Sequence, residues 1–238
     1  MDLHIHTCLS PCAQDEMLPS AIIEVAKNRG LDAIGICDHN SAENVFAVRK
    51  AGAREGVRVL GGMEICSSEE VHILAFFRDD DTLLEMQNIV YENLPGQNDE
   101  SYFGPQTLAD ENDRIAGSMD RLLIGSTTLT VDEIVGQVHR LGGRAIASHI
   151  DRDSYSIIAQ LGFIPEQLSL DALEVSWRCG PSKIGNYQDY GLPLITSSDA
   201  HFLSDIGRAA ATFLISEPSF SEMEKAFGGI EGRTVKIY

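Results

Sequence analysis

The length, charge and cysteine content of the chain narrow its class before any motif is considered. With 238 residues it can bury a substantial core, and a single α/β barrel commonly has this size. Its net charge of −18 argues against broad attachment to nucleic acid or anionic lipid, which both require a positive surface. No apolar run is long enough to span a membrane, and the N-terminal residues do not show the basic start and apolar stretch expected of a leader. An odd number of cysteines, 5, favours reduced thiols. We therefore predict a cytoplasmic protein that does not bind membranes.

Apolar segments typical of strands recur along the chain, and helical patterns lie between most of them. The first predicted helix has Pro19 near its start and Gly30 after its end. Alternating strands and helices favour a parallel sheet, and many such units close into a barrel. The predicted strands cover residues 1–6, 31–37, 57–64, 71–77, 143–149, 171–177, 192–198, 208–215 and 233–238, and the predicted helices cover 19–29, 42–55, 82–92, 130–141, 181–190 and 219–228.

Two regions depart from this alternation. Only residues 67–70 join the third and fourth predicted strands, which is too short for a helical crossover, so the barrel should be irregular there. The stretch 93–129 contains Pro95, Gly96 and scattered charges, and we interpret it as an irregular insertion or active-site loop without firm secondary structure. We expect residues 1–238 to form a single domain around the barrel.

Six of the 7 histidines lie in short motifs built from metal-ligand residue types, mostly where a predicted strand ends. Side chains two residues apart in an extended strand point the same way, so His4 and His6 can hold one ion. Asp199 and His201 repeat that spacing, and Glu64 adds a carboxylate that could bridge two ions. In a barrel these strand ends share the face where active sites are built. The motif histidines are His4, His6, His39, His72, His149 and His201.

The residue types also indicate which metals would bind. Imidazole and carboxylate ligands suit Zn, Mn or Fe, and there are more of them than one tetrahedral ion can use, so we infer two or three ions. Taken singly, His72 and His149 are explained equally well as core histidines. The same explanation for all six motif histidines would need six independent coincidences, so we reject it. His139 is the contrast, because it lies in a helical pattern opened by a Thr130/Glu133 capping box, and we place it outside the site.

Taken together, the motifs resemble the polymerase and histidinol phosphatase (PHP) family of metal-dependent phosphoesterases. The resemblance implies a distorted TIM-like β/α barrel, usually counted as seven-fold, with two or three ions at its C-terminal face. Carried onto this sequence, it assigns one ion to His4, His6, Glu64 and Asp199, a second to Glu64, His72 and His149, and a third to His39 and His201. The matching segments span almost the whole chain: 2–7, 37–40, 62–65, 71–74, 148–149 and 198–201.

The third ion needs one more ligand from the loop after the first strand, and here the chain departs from the family pattern. Many relatives have a His or an Asp there, whereas Cys12 falls nearest that position in this chain. A thiolate is an acceptable Zn ligand. Asp15 or Glu16 are alternatives if the loop folds differently, and a packing role for Cys12 is an equal alternative to a ligand role.

The same resemblance implies hydrolysis of phosphate esters by metal-activated hydroxide, because metal coordination brings the pKa of water toward neutrality. We expect Glu64 to bridge two ions and Asp199, His201 and His39 to be the candidates for proton transfer. Arginine's planar fork suits phosphate, so Arg152 and Arg178 are candidate clamps, although each could instead be a surface arginine paired with a carboxylate. These are the candidate catalytic and substrate-binding residues.

The prediction of the substrate class rests on the net charge of the chain. We predict a small phosphorylated substrate, such as a nucleotide, sugar or amino-alcohol phosphate, and no long duplex nucleic acid, because the chain is acidic. One alternative is an exonuclease on short single-stranded oligonucleotides, with aromatic side chains for stacking. The other is a non-catalytic, metal-stabilised regulatory module. The oligomeric state is left open.

Overall fold

Seven strands form one curved sheet whose two edge strands nearly meet. The structure is a computed structural model that describes residues 1–237, with the backbone alone for Pro181. The strands are β1 (Asp2–Ile5), β2 (Ala33–Ile36), β3 (Arg58–Cys66), β4 (His72–Phe76), β5 (Thr107–Ala109), β6 (Ile115–Ser118), β7 (Arg144–Ala147), β8 (Ala172–Ser176), β9 (Leu194–Ser197), β10 (Thr212–Leu214) and β11 (Thr234–Lys236). The order of strands in the sheet is β1-β2-β3-β4-β7-β8-β9.

The sheet closes where the chain leaves β1 and β9. The amide of His6 donates to the carbonyl of Ala200 (3.0 Å), and the amide of Ala200 donates to the carbonyl of His4 (3.2 Å). β4 pairs antiparallel with both β3 and β7, whereas the other pairs of neighbouring strands in the sheet are parallel. The predicted irregularity at the third connection is therefore confirmed, and so is the distorted TIM-like barrel.

The antiparallel strand changes where one predicted ligand lies. We had expected His72 to follow the C-terminal end of a strand, but it is the first residue of β4. Because β4 runs against its neighbours, its N-terminal end lies at the barrel edge that carries the C-terminal ends of the parallel strands. His72 thus reaches the predicted face from the opposite end of its strand.

Eight α-helices accompany the sheet in the described part of the chain, and all of them except the short helix Glu100–Phe103 place apolar residues against the core. The helix after β6 shows why: its buried residues Val131, Ile134, Val135 and Val138 recur at helical spacing. Its N-terminus carries the predicted capping box, formed by Thr130. The helices are α1 (Pro19–Asn28), α2 (Val45–Glu55), α3 (Asp80–Glu92), α4 (Glu100–Phe103), α5 (Val131–Arg140), α6 (Ile157–Leu161), α7 (Pro181–Gln188) and α8 (Phe220–Phe227).

The stretch 93–129 has regular structure that we did not predict. It contains α4 and the antiparallel pair β5–β6, so the expectation of no firm secondary structure is wrong. Its strands are held by the barrel: the Asn44 side chain donates to the Thr107 carbonyl (3.0 Å) and accepts from the Ala109 amide (3.1 Å). The Thr107 amide donates to the Cys8 carbonyl (3.0 Å). These contacts join distant segments, so local sequence patterns do not reveal them.

The last part of the chain adds a small unit beside the barrel. β10 and β11 pair antiparallel with each other, outside the seven-stranded sheet, and α8 packs beside them. Within residues 1–237, none of the helices combines the length and hydrophobicity needed to cross a membrane.

Candidate metal centre

Glu64 lies at the centre of the converging histidines and is 1 % exposed. Its Oε1 is 2.9 Å from His72 Nδ1 and 3.2 Å from His149 Nε2, and its Oε2 is 3.1 Å from His39 Nδ1. β3 extends to Cys66, so Glu64 sits within the strand and points into the barrel mouth. One carboxylate therefore contacts histidines from three different segments, which is the arrangement expected of a bridging ligand.

A second group of ligand atoms forms where β1 meets the end of β9. His4 Nε2 and His6 Nε2 are 3.1 Å apart, and Asp199 Oδ1 lies 3.3 Å from each of them. There are three groups of candidate ligand residues, and within each group the ligand atoms lie within 4.8 Å of one another, as metal binding requires. These groups are His4–His6–Asp199, His39–Glu64–His72, and His6–His39–His201.

Three residues in the loops that build the site have positive φ angles. Asn40 (φ 51°), His149 (φ 28°) and Asp199 (φ 49°) follow β2, β7 and β9. Residues with side chains rarely adopt this region, so the surrounding contacts must hold them there. For Asn40 these contacts are visible: its side chain donates to the Leu123 and Gly125 carbonyls at 2.8 and 2.7 Å. These hydrogen bonds tie the 93–129 stretch to the loop that carries His39.

A buried polar chain sets the orientation of His6. His6 Nδ1 donates to Ser10 Oγ (2.9 Å), and that hydroxyl donates to Asp38 Oδ1 (2.7 Å). The Thr7 amide and hydroxyl donate to the same Asp38 carboxylate at 2.7 and 2.8 Å. With its proton on Nδ1, His6 presents the Nε2 lone pair to Asp199 and Glu64, which is where an ion would bind.

Glu174 does the same for His4, and sequence reasoning missed it. This carboxylate in β8 is 1 % exposed and accepts from His4 Nδ1 (3.0 Å), Ser148 Oγ (3.1 Å) and the His149 amide (3.1 Å). The available signal was a lone acidic residue within the apolar strand Ala172–Ser176, because acidic residues are seldom fully buried without a partner. Glu174 is a positioning residue for two candidate ligands.

The mutual contacts determine the charge states of the buried groups. Burial would raise the pKa of Glu64, but His72, His4 and His39 hold it well below its ordinary value. Burial would lower the pKa of His4, but Glu174, Glu64 and Asp199 hold it well above its ordinary value. For His201, burial and the neighbouring His6 lower the pKa to about 3. His201 is therefore neutral at neutral pH, which is the form that binds metals.

A cavity of about 200 Å³ opens over this cluster at the barrel mouth. Cys12 lies at the cavity wall, although its side chain is largely exposed. Burial would lower the pKa of His39, but Cys12 and Glu64 together raise it above its ordinary value. The alternatives Asp15 and Glu16 are exposed and lie outside the cavity wall. The remaining wall residues are Glu64, His72, Ile124, His149, Arg152, Ser154, Tyr155, Asp199 and His201, with His39.

The two candidate arginines have different positions. Arg152 lines the cavity, and its guanidinium lies 2.5 Å from Asp199 Oδ2. Arg178 does not line it; its guanidinium carbon lies 4.8 Å from the Trp177 ring centroid. His139, which we placed outside the site, contacts Asp171 Oδ2 (2.8 Å), just before β8 begins and thus at the opposite end of the barrel.

The donor set fits divalent metal ions. Several imidazole nitrogens and carboxylate oxygens converge within hydrogen-bond distance, and two buried polar atoms in the cluster, His149 Nδ1 and Glu174 Oε1, have no hydrogen-bond partner. Nitrogen and oxygen ligands of this kind are those of Zn, Mn and Fe. A bound ion would separate the like-charged groups and stabilise them.

The chain belongs to the PHP domain family, whose model matches residues 2–156. A second model, described as PHP-associated, matches residues 184–227. Both matches cover segments that build the site: the first includes β1, β3, β4 and β7, and the second includes the loop after β9. The predicted family, and with it the class of metal-dependent phosphoesterases, is confirmed.

Individual relatives share parts of the chain. The phosphoribosyl 1,2-cyclic phosphate 1,2-diphosphodiesterase of Eggerthella lenta is 32% identical over 78 residues, which cover 31% of this chain and 29% of the relative. A lesion-specific endonuclease from Pyrococcus furiosus matches in structure with a TM-score of 0.70 and 20% identity, over 98% of this chain and 56% of that one. The chain thus spans well under two thirds of the length of these relatives.

Our prediction about the partner is wrong. We expected a small phosphorylated substrate and no long duplex nucleic acid, whereas an Endonuclease Q complex with a 27-mer duplex substrate matches 98% of this chain and 57% of that one, with a TM-score of 0.74 and 20% identity. The argument from net charge failed because charge summed over the surface does not describe the local field at a metal cluster.

Proposed function

We propose that this protein is a metal-dependent phosphodiesterase that cleaves nucleic-acid strands. The observation that carries the proposal is the buried Glu64 cluster, in which each of three groups of metal-ligand atoms contributes at least one residue to the wall of a small cavity at the barrel mouth. Family membership supports the reaction class, and the likeness of the barrel to Endonuclease Q supports the substrate class.

The size of the cavity favours a polymer. Sites that enclose a small molecule usually have about 300–1,000 Å³, whereas this cavity has about 200 Å³. It can hold a phosphodiester group and part of an adjoining sugar, so the rest of the substrate must lie outside it, along the barrel mouth. Tyr155, 43 % exposed and stacked on His72 with ring centroids 4.7 Å apart, forms part of the wall that such a strand would contact.

The site residues would have three roles: metal binding, phosphate binding and proton transfer. We propose two or three Zn, Mn or Fe ions, with Glu64 shared between two of them; when bound, such ions acidify water and neutralise charge on phosphoryl oxygens. Arg152 would contact a phosphoryl oxygen, because its guanidinium already lies inside the cavity. His201, His39 and Asp199 are the candidates to move a proton at the leaving oxygen.

A third ion would bind to His39 and His201, with Cys12 as a further ligand. The two imidazoles belong to one of the groups within 4.8 Å, and Cys12 is close enough to raise the pKa of His39. A thiolate beside two histidines favours zinc at this position. Asp15 and Glu16 lie outside the cavity wall, which leaves Cys12 as the better candidate.

The test is cleavage of end-labelled 27-mers by protein reconstituted separately with Mn, Zn and Fe. Single strands, intact duplexes and duplexes with one abasic position are compared, and p-nitrophenyl phosphate serves as a monoester control. We expect strand cleavage that is absent in Glu64→Gln and retained in His139→Gln. A product ladder separates cleavage at an end from cleavage inside the strand. Turnover of the monoester with every strand left intact would refute the proposal.

A further inference from the structure

A cationic and aromatic surface lies beside the metal centre and outside its cavity. The Trp177 indole is 40 % exposed, and the guanidinium carbons of Arg208 and Arg178 lie 4.3 and 4.8 Å from its ring centroid. At these distances both cations are attracted to the electron-rich ring. We call these three residues the Trp177 surface; none of them lines the cavity over the metal centre.

The backbone holds this surface next to the centre. Trp177 directly follows β8 and is three residues beyond Glu174, which corresponds to about 10 Å of extended chain. The Arg178 amide donates to Ser176 Oγ (3.2 Å), and that hydroxyl donates to Asp151 Oδ2 (2.7 Å) in the loop that carries His149. The turn is therefore tied to the two strands that present the centre.

The charges of the surface suit a polyanion. Arg208 pairs with Asp205 (2.6 Å), whereas Arg178 forms no ion pair within 4.0 Å among residues 1–237. In a chain with 36 acidic and 18 basic residues, most arginines beside a functional site would be expected to find an acidic partner. A guanidinium stacked on an indole also offers a flat face, on which nucleobases stack.

We propose that the Trp177 surface binds an unpaired base and the adjacent phosphate of the substrate strand, outside the cleavage site. The proposal rests on the proposed function and adds a binding site to it. Stacking by one aromatic residue changes strand affinity by roughly 5- to 150-fold and tolerates any base.

The chain offers a direct readout, because Trp177 is its only tryptophan. Metal-loaded protein is titrated at low salt with a phosphorothioate dT 12-mer, which resists hydrolysis, while intrinsic fluorescence is recorded. We expect saturable quenching. A base-free 12-mer with the same number of phosphorothioate groups should bind at least about 5-fold more weakly, because it cannot stack.

Variants assign the effect to the surface. We expect Trp177→Leu to weaken binding, measured by anisotropy of a labelled strand, and Trp177→Phe to restore most of it. Arg178→Ala should weaken binding and reduce the slope of log affinity against log salt by about 0.7, the value for one single-strand phosphate contact. The matched control is Arg78→Ala, whose guanidinium lies over Phe220 at 5.4 Å near the opposite end of the barrel and should leave binding unchanged.

The outcomes separate this proposal from the proposed function. Equal affinity for the base-bearing and base-free strands, or equal effects of Arg178→Ala and Arg78→Ala, would overturn the Trp177 surface even in a protein that cleaves strands. Quenching and a loss in Trp177→Leu, in a protein that cleaves no strand, would support the surface and refute the nuclease. A polyglutamate peptide that competes as well as the 12-mer would show a general anion site and would also overturn the proposal.

Discussion

The two ends of the barrel each contain a carboxylate in contact with a histidine. The two pairs have similar distances but differ in burial and in the other contacts of the carboxylate. Glu64 lies 2.9 Å from His72, and the two side chains are 1 % and 10 % exposed. Asp171 lies 2.8 Å from His139 at the other end, with side chains 18 % and 30 % exposed. Glu64 has four further histidines within 3.4 Å of its oxygens, whereas Asp171 is satisfied by the Ala145 amide and Arg144.

The comparison shows that a short contact does not by itself identify a functional site. At the Asp171 end, charges are paired with opposite charges near water, which contributes about 0–1 kcal/mol per exposed pair. At the Glu64 end, several buried imidazoles and carboxylates converge on one another, which is the arrangement that divalent ions would complete. The number of converging ligand atoms and their burial are what separate the two ends.

The largest expected effect comes from removing the shared carboxylate. Glu64→Gln should lower strand cleavage by more than about 100-fold, exceeding what substitutions next to metal ligands usually cost, because an amide does not bridge two cations. Asp171→Asn is the matched change at the other end and should leave kcat within about 2-fold. Initial rates and metal content are measured for both. Similar losses in the two variants would mean that the ends do not differ as we infer.

A second prediction concerns the carboxylate that positions His4. Glu174→Gln should reduce metal affinity by about 10- to 100-fold with the fold retained, because an amide cannot accept all the hydrogen bonds that Glu174 accepts. Chelator competition gives the affinity, and circular dichroism checks the fold. Unchanged affinity would show that Ser148 alone is enough to orient His4.

The third prediction tests whether Cys12, at the cavity wall, is a metal ligand. Cys12→Ser should remove one ion and leave the ions bound through His4 and Glu64, lowering turnover by about 10-fold or more. Reconstitution with Co²⁺ provides a readout that is independent of activity, since a cobalt–thiolate bond gives a charge-transfer band that the serine variant lacks. Asp15→Asn is the matched control on the same loop. A full metal complement and an unchanged spectrum in Cys12→Ser would show that Cys12 is not a metal ligand.

The smallest effect belongs to an ion pair far from the metal centre. Glu222 accepts from Arg233 (2.9 Å) and the Ser216 amide (2.8 Å), and these bonds lower its pKa from 4.5 to about 2. A lowered pKa stabilises the folded state above pH 4.5, and that contribution is lost as the pH falls toward 2. Glu222→Gln should therefore be slightly less stable than the wild type at pH 7, and the difference should vanish near pH 2. Thermal unfolding across this range measures it; a difference that grows in acid would contradict the assignment.

Much of the barrel could be predicted from local patterns. All nine predicted strands and all six predicted helices have a counterpart in the structure, with ends shifted by a few residues. Periodicity is enough for this, because burial of one face imposes the repeat on residues that are neighbours in the chain. The two small helices α4 and α6 and the pair β5–β6 were missed, because they are short and depend on contacts such as those of Asn44.

The sequence by itself determined the ligand residue types and the strand ends that present them, since both depend on local chemistry and spacing. Only the tertiary structure decided which of these atoms meet, that β4 brings His72 to the shared end by running backwards, and that Arg152 enters the cavity while Arg178 stacks on Trp177. Glu174 shows the reason most clearly. It contacts His4 across 170 residues of chain, and a contact at that separation arises from how the sheet closes, which no window of neighbouring residues encodes.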